Sequence, residues 1–291
     1  MNWNLTILEN DLRAILIPRP GTRTAAVRLY LRAGSRYDGA SPGTAHLLEH
    51  LLFRGTVSRS SQDIFSLVES GGGEINASTT REYICLYTVT LAQDLPLALD
   101  LLADIISQPA FAESDFLSER MVVLQEFLQS QNQPEVLTNI FMAALWEQNP
   151  LRYPVRGTLD SLQALGYDTV FDFYRERMVS GNALLVVCGD VDEESALSDI
   201  REYVNDFPIG PEQPPQLIME PEPREPRRIH LDKEINEPHL LVGVPTVGMK
   251  HPDRSALKVI ELSLGMGGSG RLYRRLREEQ QLVYTIQAFT S

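Results

Sequence analysis

Apolar and polar positions alternate from the first residues of the chain. The stretches "LTILENDLRAILIP" and "TAAVRLYLRAG" read as a strand pair within residues 5–33, with turns at Asn10-Asp11 and from Pro18 to Gly21. The pattern then changes to helical spacing in "SPGTAHLLEHLLFRGT", with Ser41-Pro42 near the start and Gly55 at the end. A short helix, "SSQDIFSLVESGGG", stops at three glycines, and "EINASTTREYICLYTVTLA" returns to strand. Helices are expected over "DLPLALDLLADIISQPAF", over "ESDFLSERMVVLQEFLQSQ", from Pro134 to Trp146, and over "YDTVFDFYRERM". The strand "NALLVVCGDV" and the helix "DEESALSDIREYVNDF" follow. Helices and strands mix without regular alternation, which predicts an α+β fold rather than a doubly wound one.

Between Phe207 and Arg228 the pattern stops. "PIGPEQPPQLIMEPEPREPRR" carries seven prolines, too many for helix or central strand, and reads as an extended linker over 208–228. It closes a first domain, 1–207. Beyond it, "RIHLDKEINEPHLLVGVP" predicts a strand pair, "DRSALKVIELSLG" and "RLYRRLREEQ" predict helices, and "LVYTIQAFTS" a strand. That order repeats the opening of the first domain. Leu257, Ile260 and Glu261 fall where His46, Glu49 and His50 stand, so 229–291 reads as the incomplete second copy of a repeat, without the histidine chemistry.

Composition changes this picture little. A chain of 291 residues with 43% hydrophobic and 22% charged residues suits two domains with a sizeable core. The formal charge of −13 argues against nucleic acid and anionic membranes as partners. Cys85 and Cys188 sit singly in strand-like runs and read as free thiols, so a thiolate metal site is excluded. The N-terminal stretch lacks the pattern of a signal peptide, and no apolar run has membrane-spanning length. A soluble, cytoplasmic protein is the expectation.

The chemistry concentrates in "AHLLEHLLF". On a helix, His46, Glu49 and His50 share one face, while Leu47, Leu48, Leu51 and Leu52 cover the others. Two imidazoles one turn apart suit adjacent corners of a zinc tetrahedron, and the intervening glutamate can take a proton from water activated by the metal. Two satisfied core histidines are the competing reading. Burying three such polar groups with no ion costs several kcal/mol unless each is paired, which favours the metal. The H-x-x-E-H order is that of an inverted zinc peptidase. For a third ligand, Glu119 and Glu126 lie seven apart on one helix face, with Glu126 between Leu124 and Phe127 and beside Val122-Val123. One carboxylate as ligand and one orienting an imidazole would account for both.

"HLLEHLLFRGT" resembles the H-F-L-E-H-M-x-F-x-G-T motif of the pitrilysin/insulinase metallopeptidases, which include the mitochondrial processing peptidases and their bacterial relatives. "GGGEINASTTREYICLYTV" resembles that family's G-G-x-x-N-A-x-T stretch, and "NALLVVCGDVD" its N-x-x-L-x-x-x-G-D-V-D strand. The resemblance implies Glu126, 76 residues beyond His50, as third zinc ligand, and Glu119 as the companion carboxylate. It implies one Zn2+ per chain, Glu49 as general base, and Asn76 and Ala77 on an edge strand that grips an extended peptide. Arg277 and Tyr284 would reach from the second domain and stabilise the developing oxyanion. It further implies two homologous domains and a homodimer or heterodimer with a related chain. The expected activity is zinc-dependent cleavage of short or unfolded polypeptides; the alternative is a non-catalytic or partner-dependent subunit of a processing-peptidase-like complex. The glycine run "LGMGGSGR" lacks the lysine and preceding strand of a phosphate loop and is set aside.

Overall fold

The computed structural model describes residues 3–131, 135–218, 220–221, 225–233, 237–265 and 267–290. These fall into two compact units, 1–241 and 242–291.

The first unit is built on one six-stranded sheet. Its strands are β1 (Asn4–Ile7), β2 (Arg13–Pro18), β3 (Thr24–Leu31), β4 (Glu74–Thr79), β5 (Ile84–Leu91) and β6 (Ala183–Gly189). Their order across the sheet is β1-β2-β6-β3-β5-β4, and only β2 and β6 run parallel. The hairpin at Asn10-Asp11 forms as the turn residues require, with Asp11 in the left-handed region at φ 66°. One expected neighbour relation changes: β2 and β3 do not pair with each other, because β6 inserts between them. The segment read as a single strand after the three glycines is a hairpin of β4 and β5, with Ala77 opposite Leu86.

The sheet's inner face is covered by α1 (Thr44–Leu52), α2 (Ser61–Glu69) and α3 (Leu95–Ser107), and α8 (Glu193–Tyr203) packs against α3. Further helices complete the layer: α4 (Glu113–Ser130), α5 (Glu135–Leu145), α6 (Leu159–Ala164) and α7 (Tyr167–Arg177). Burial in β3 and β6 alternates residue by residue, so one face of each strand enters the core. The core joins Leu29, Leu31, Leu86 and Leu185 of the sheet to Leu47, Leu48 and Leu51 of α1 and to Leu99, Leu102 and Ile106 of α3. Local caps start some of these helices. A capping box of Ser60 and Asp63 starts α2, and the glycines at 71–73 follow its end. Asp192 Oδ2 accepts from Ser195 N at 3.0 Å to start α8. The helix expected to restart at Pro134 runs from Glu135 to Leu145, and Pro134 itself lies outside the described residues.

The described residues of 208–228 form neither helix nor strand, as their prolines demand. They are nonetheless fastened to the first unit. Glu220 accepts from the backbone N–H groups of Glu147, Gln148 and Asn149, and Ser180 N donates to Pro208 O at 2.8 Å.

The second unit contains α9 (Arg254–Gly265) and a π-helical stretch, Tyr273–Glu279. The strands expected over 228–245 and 282–291 are not formed among their described residues, of which Ser291 is not one. A strand needs a neighbour for its N–H and C=O groups, and no described segment pairs with either stretch. Helix α9 buries none of its residues, so its apolar Val259, Ile260 and Leu262 stay exposed. Glu261, at the position corresponding to His50, accepts from Lys258 and from Thr290 Oγ1 at 2.7 Å.

Candidate metal centre

Helix α1 places the histidines, and its start is held from a distance. Gly43, in the left-handed region at φ 99°, precedes the first turn, so no side chain caps it directly. The Asp38 carboxylate does this instead, accepting from Gly43 N at 2.7 Å and Ala45 N at 3.0 Å. Burial pushes the Asp38 carboxyl up to about 8, while the backbone donors at the helix start pull the other way. The leucines of α1 are buried as its sequence predicts, and the polar face carrying His46, Glu49 and His50 meets α4 and the sheet edge at β4.

The two imidazoles stand edge to face, with ring centroids 4.8 Å apart. From α4, Glu126 Oε2 lies 3.7 Å from His46 Nε2 and 3.8 Å from His50 Nε2. These three ligand atoms all lie within 4.8 Å of one another. Tetrahedral ligands about 2.1 Å from zinc are separated by roughly 3.4 Å, a spacing that the two Glu126 distances approach to within a few tenths of an ångström. Burial holds the His46 imidazole down to about 3, with His50 and Arg156 adding repulsion, so it is neutral and its lone pair is available. His50 Nδ1 donates to Glu119 Oε2 at 2.9 Å, which leaves Nε2 as the free coordinating nitrogen. Arg54 Nη1 lies 3.4 Å from the other oxygen of Glu119 and accounts for that buried carboxylate. Donor chemistry, spacing and tautomer all fit a zinc ion.

Glu49 borders the same space. Its carboxylate accepts from Thr79 Oγ1 of β4. Burial raises its pKa above the ordinary carboxylate value; the Thr79 bond and His50 oppose the shift, and Glu126 adds to it. A cavity of about 260 Å³ opens beside it, lined by His46, Glu49, Ser78, Thr79, Glu135, Val155 and Arg156.

Asn76 and Ala77 lie on β4, at the edge of the sheet, with Asn76 exposed. Ala77 N donates to Asn76 Oδ1 at 2.8 Å. Arg277 and Tyr284 belong to the second unit, where the guanidinium lies 4.6 Å from the Tyr284 ring centroid and 4.9 Å from that of Tyr273. On α4, Val123 is buried as expected, but Val122 is exposed at 40% and does not belong to the core face.

Four residues at or around the site were not singled out from sequence: Thr79, Arg54, Glu135 and Arg156. Thr79 had a legible signal, since the threonine of N-A-x-T falls on the same strand face as Ala77. Arg54 lies one turn beyond His50. Glu135 and Arg156 have no pattern to mark them, and only the fold brings them to the cavity.

Two imidazoles, a carboxylate and a half-buried glutamate beside them, on an α+β scaffold, make a donor set that fits zinc. The family model described as insulinase (peptidase family M16) matches residues 13–159, and that of the peptidase M16 inactive domain matches 164–291. This chain belongs to the insulinase peptidase family, M16. An uncharacterized zinc protease of Mycobacterium leprae (strain TN) is 35% identical over 285 residues, covering 97% of this chain and 64% of the relative. The chain thus spans just under two thirds of that relative's length. Among solved structures, a protease from Helicobacter pylori aligns with a TM-score of 0.87 at 23% identity, over 100% of this chain and 71% of the other. Pitrilysin aligns with a TM-score of 0.68 at 20% identity, over 75% of this chain and 24% of the other. At such identities the structural likeness establishes the fold. No helix among the described residues is long and apolar enough to cross a membrane.

Proposed function

We propose that the protein is a zinc-dependent endopeptidase acting on short or unfolded polypeptides. The observation that carries this reading is the convergence of His46, His50 and Glu126 beside the half-buried carboxylate of Glu49. His46, His50 and Glu126 hold one Zn2+, and Glu119 orients His50 through Nδ1. Bound zinc supplies Lewis acidity, which brings the pKa of water from about 16 toward roughly 7. Glu49 is the base that takes the proton, and Thr79 fixes the carboxylate in position to do so. The raised pKa of Glu49 suits the second half of the reaction, in which the same group returns the proton to the leaving amine.

The exposed edge of β4 supports binding of the substrate as an added strand along Asn76 and Ala77. Backbone pairing of this kind places few demands on side chains and requires an extended substrate. Arg277 and Tyr284 are assigned to donate hydrogen bonds to the substrate carbonyl. Residues 1–207 form the catalytic domain, 208–228 the linker and 229–291 part of a second domain; a homodimer, or a heterodimer with a related chain, is the working assembly. A partner-dependent or non-catalytic subunit is the second reading, supported by the match of 164–291 to a domain described as inactive.

Peptide hydrolysis by the wild type and Glu49→Gln, with chelator removal and zinc add-back, tests the proposal. The variant is expected to bind zinc and lose about 10²–10⁴-fold in rate. Wild-type turnover by Glu49→Gln, or hydrolysis that survives chelation, would overturn it. Activity that emerges only on mixing with a related chain favours the second reading.

A further inference from the structure

The loop between α5 and α6 brings a cation to the ligand cluster. Arg156 lines the cavity with His46 and Glu49. Its Nε is buried, has no hydrogen-bond partner among the described residues, and lies 3.8 Å from Glu126 Oε2. Its Nη1 donates to Glu135, another wall of the same cavity. The Glu126 oxygen is therefore nearly equidistant from three nitrogens: His46 Nε2 at 3.7 Å, His50 Nε2 at 3.8 Å and Arg156 Nε at 3.8 Å. Two of them suit a metal, and the third belongs to a permanent cation that repels one.

Arg156 is held where it is by the backbone. Gly157 is left-handed at φ 74°, and a Cβ there would meet Pro42 O at 2.4 Å. Gly43 sits against the same turn, where a Cβ would meet Arg156 O at 3.2 Å. Ser161 Oγ also donates to Pro42 O, at 2.7 Å. The loop carrying Arg156 is thus pressed onto the start of the helix that carries His46. That junction fixes the backbone of Arg156 beside the site, and from there the side chain reaches Glu135 and Glu126.

The charge effect has a calculable size. A ligating oxygen stands about 2.1 Å from zinc, so a nitrogen 3.8 Å from that oxygen lies within about 6 Å of the ion. Even at the dielectric of bulk water, a unit positive charge about 6 Å from a divalent cation opposes its binding about tenfold. A half-buried site strengthens the repulsion, and the Glu135 carboxylate offsets part of it.

We infer that the Arg156–Glu135 pair sets the zinc affinity of this site, with Arg156 acting as a built-in brake on metal occupancy. Without the ion, the guanidinium supplies the positive charge beside Glu126. Glu135 partners the guanidinium and limits the repulsion. The inference rests on the zinc reading above and adds the control of occupancy to it.

The test is zinc affinity of the full chain, measured by competition with a chromophoric chelator, with zinc sulfate as the only added metal. Folding of each metal-free variant is followed by circular dichroism. Arg156→Met and Arg156→Gln are expected to tighten zinc binding by about tenfold or more. Arg156→Lys, which keeps the charge, should stay near the wild-type value. Glu135→Gln should weaken binding several-fold, because it leaves the guanidinium unneutralised. General damage to the fold weakens binding in every variant, so the opposed signs at 156 and 135 separate a charge effect from a structural one. Zinc bound no more tightly by either neutral variant at 156 overturns the inference while leaving the zinc reading intact. No zinc uptake by the wild type, or equal uptake by His46→Ala, overturns both.

Discussion

Each polar side chain at the site has an identifiable electrostatic task. His46 is kept neutral by burial, and His50 is oriented by Glu119, which is itself held by Arg54. The carboxylate–imidazole pair makes His50 a better donor and fixes its tautomer. Replacing Glu119 by Gln keeps the shape but removes the charge, so zinc affinity should fall about 10–100-fold. The fold should hold, because Glu119 touches the site rather than the apolar core. Chelator competition measures this, and an affinity within about twofold of wild type would contradict the assignment. Helical spacing made His46, Glu49 and His50 legible as one face and paired Glu119 with Glu126 two turns apart, whereas the choice of Glu126 as ligand came from the family resemblance. Thr79 and Arg54 follow from similar spacing once the site is known. Arg156 does not, because nothing in its own neighbourhood records what it will face.

At the scale of elements, α1 depends on Asp38 for its first turn. That carboxyl titrates at about 8 in the folded protein against about 3.9 when unfolded. The native state therefore holds this proton more tightly than the unfolded one. Stability from Asp38 is fully present below about pH 4 and is lost as pH rises through about 8. Asp38→Asn has no such titration. Its stability relative to wild type should improve steadily between pH 5 and 8, as read by urea unfolding of metal-free protein. A difference independent of pH would contradict the assignment. Apart from α6, the helices of the first unit were legible from periodicity and caps, since both act within a turn or two. The insertion of β6 between β2 and β3 was not legible, because strand order is a choice among distant partners of similar character.

On the scale of the whole molecule, the same distinction explains where expectation and structure part. The segments at 228–245 and 282–291 have strand-like patterns, but alternation gives only a willingness to pair, and no described neighbour satisfies them. The proline-rich stretch is extended as its composition requires, yet the Glu220 clamp on residues 147–149 came only with the fold. The second unit carries Arg277 and Tyr284, whose proposed role is in catalysis rather than in metal binding. Tyr284→Phe should accordingly leave zinc content unchanged while lowering peptide hydrolysis by about 10²–10³-fold. Unchanged turnover in this variant would remove Tyr284 from the mechanism.

By itself, the sequence narrowed the chemistry to candidates: a histidine pair that suits a metal, a glutamate between them that suits a base, and the apolar faces of the helices. Those properties are set by side-chain type and by spacing within a helix or strand, where geometry is fixed over a few residues. Tertiary structure decided what surrounds that chemistry. It placed β4 at the free edge, set Thr79 against Glu49, and drove Arg156 and Glu135 into the cavity wall. The reason is physical: electrostatic influence reaches several ångströms through space, whereas sequence pattern reports only on neighbours along the chain.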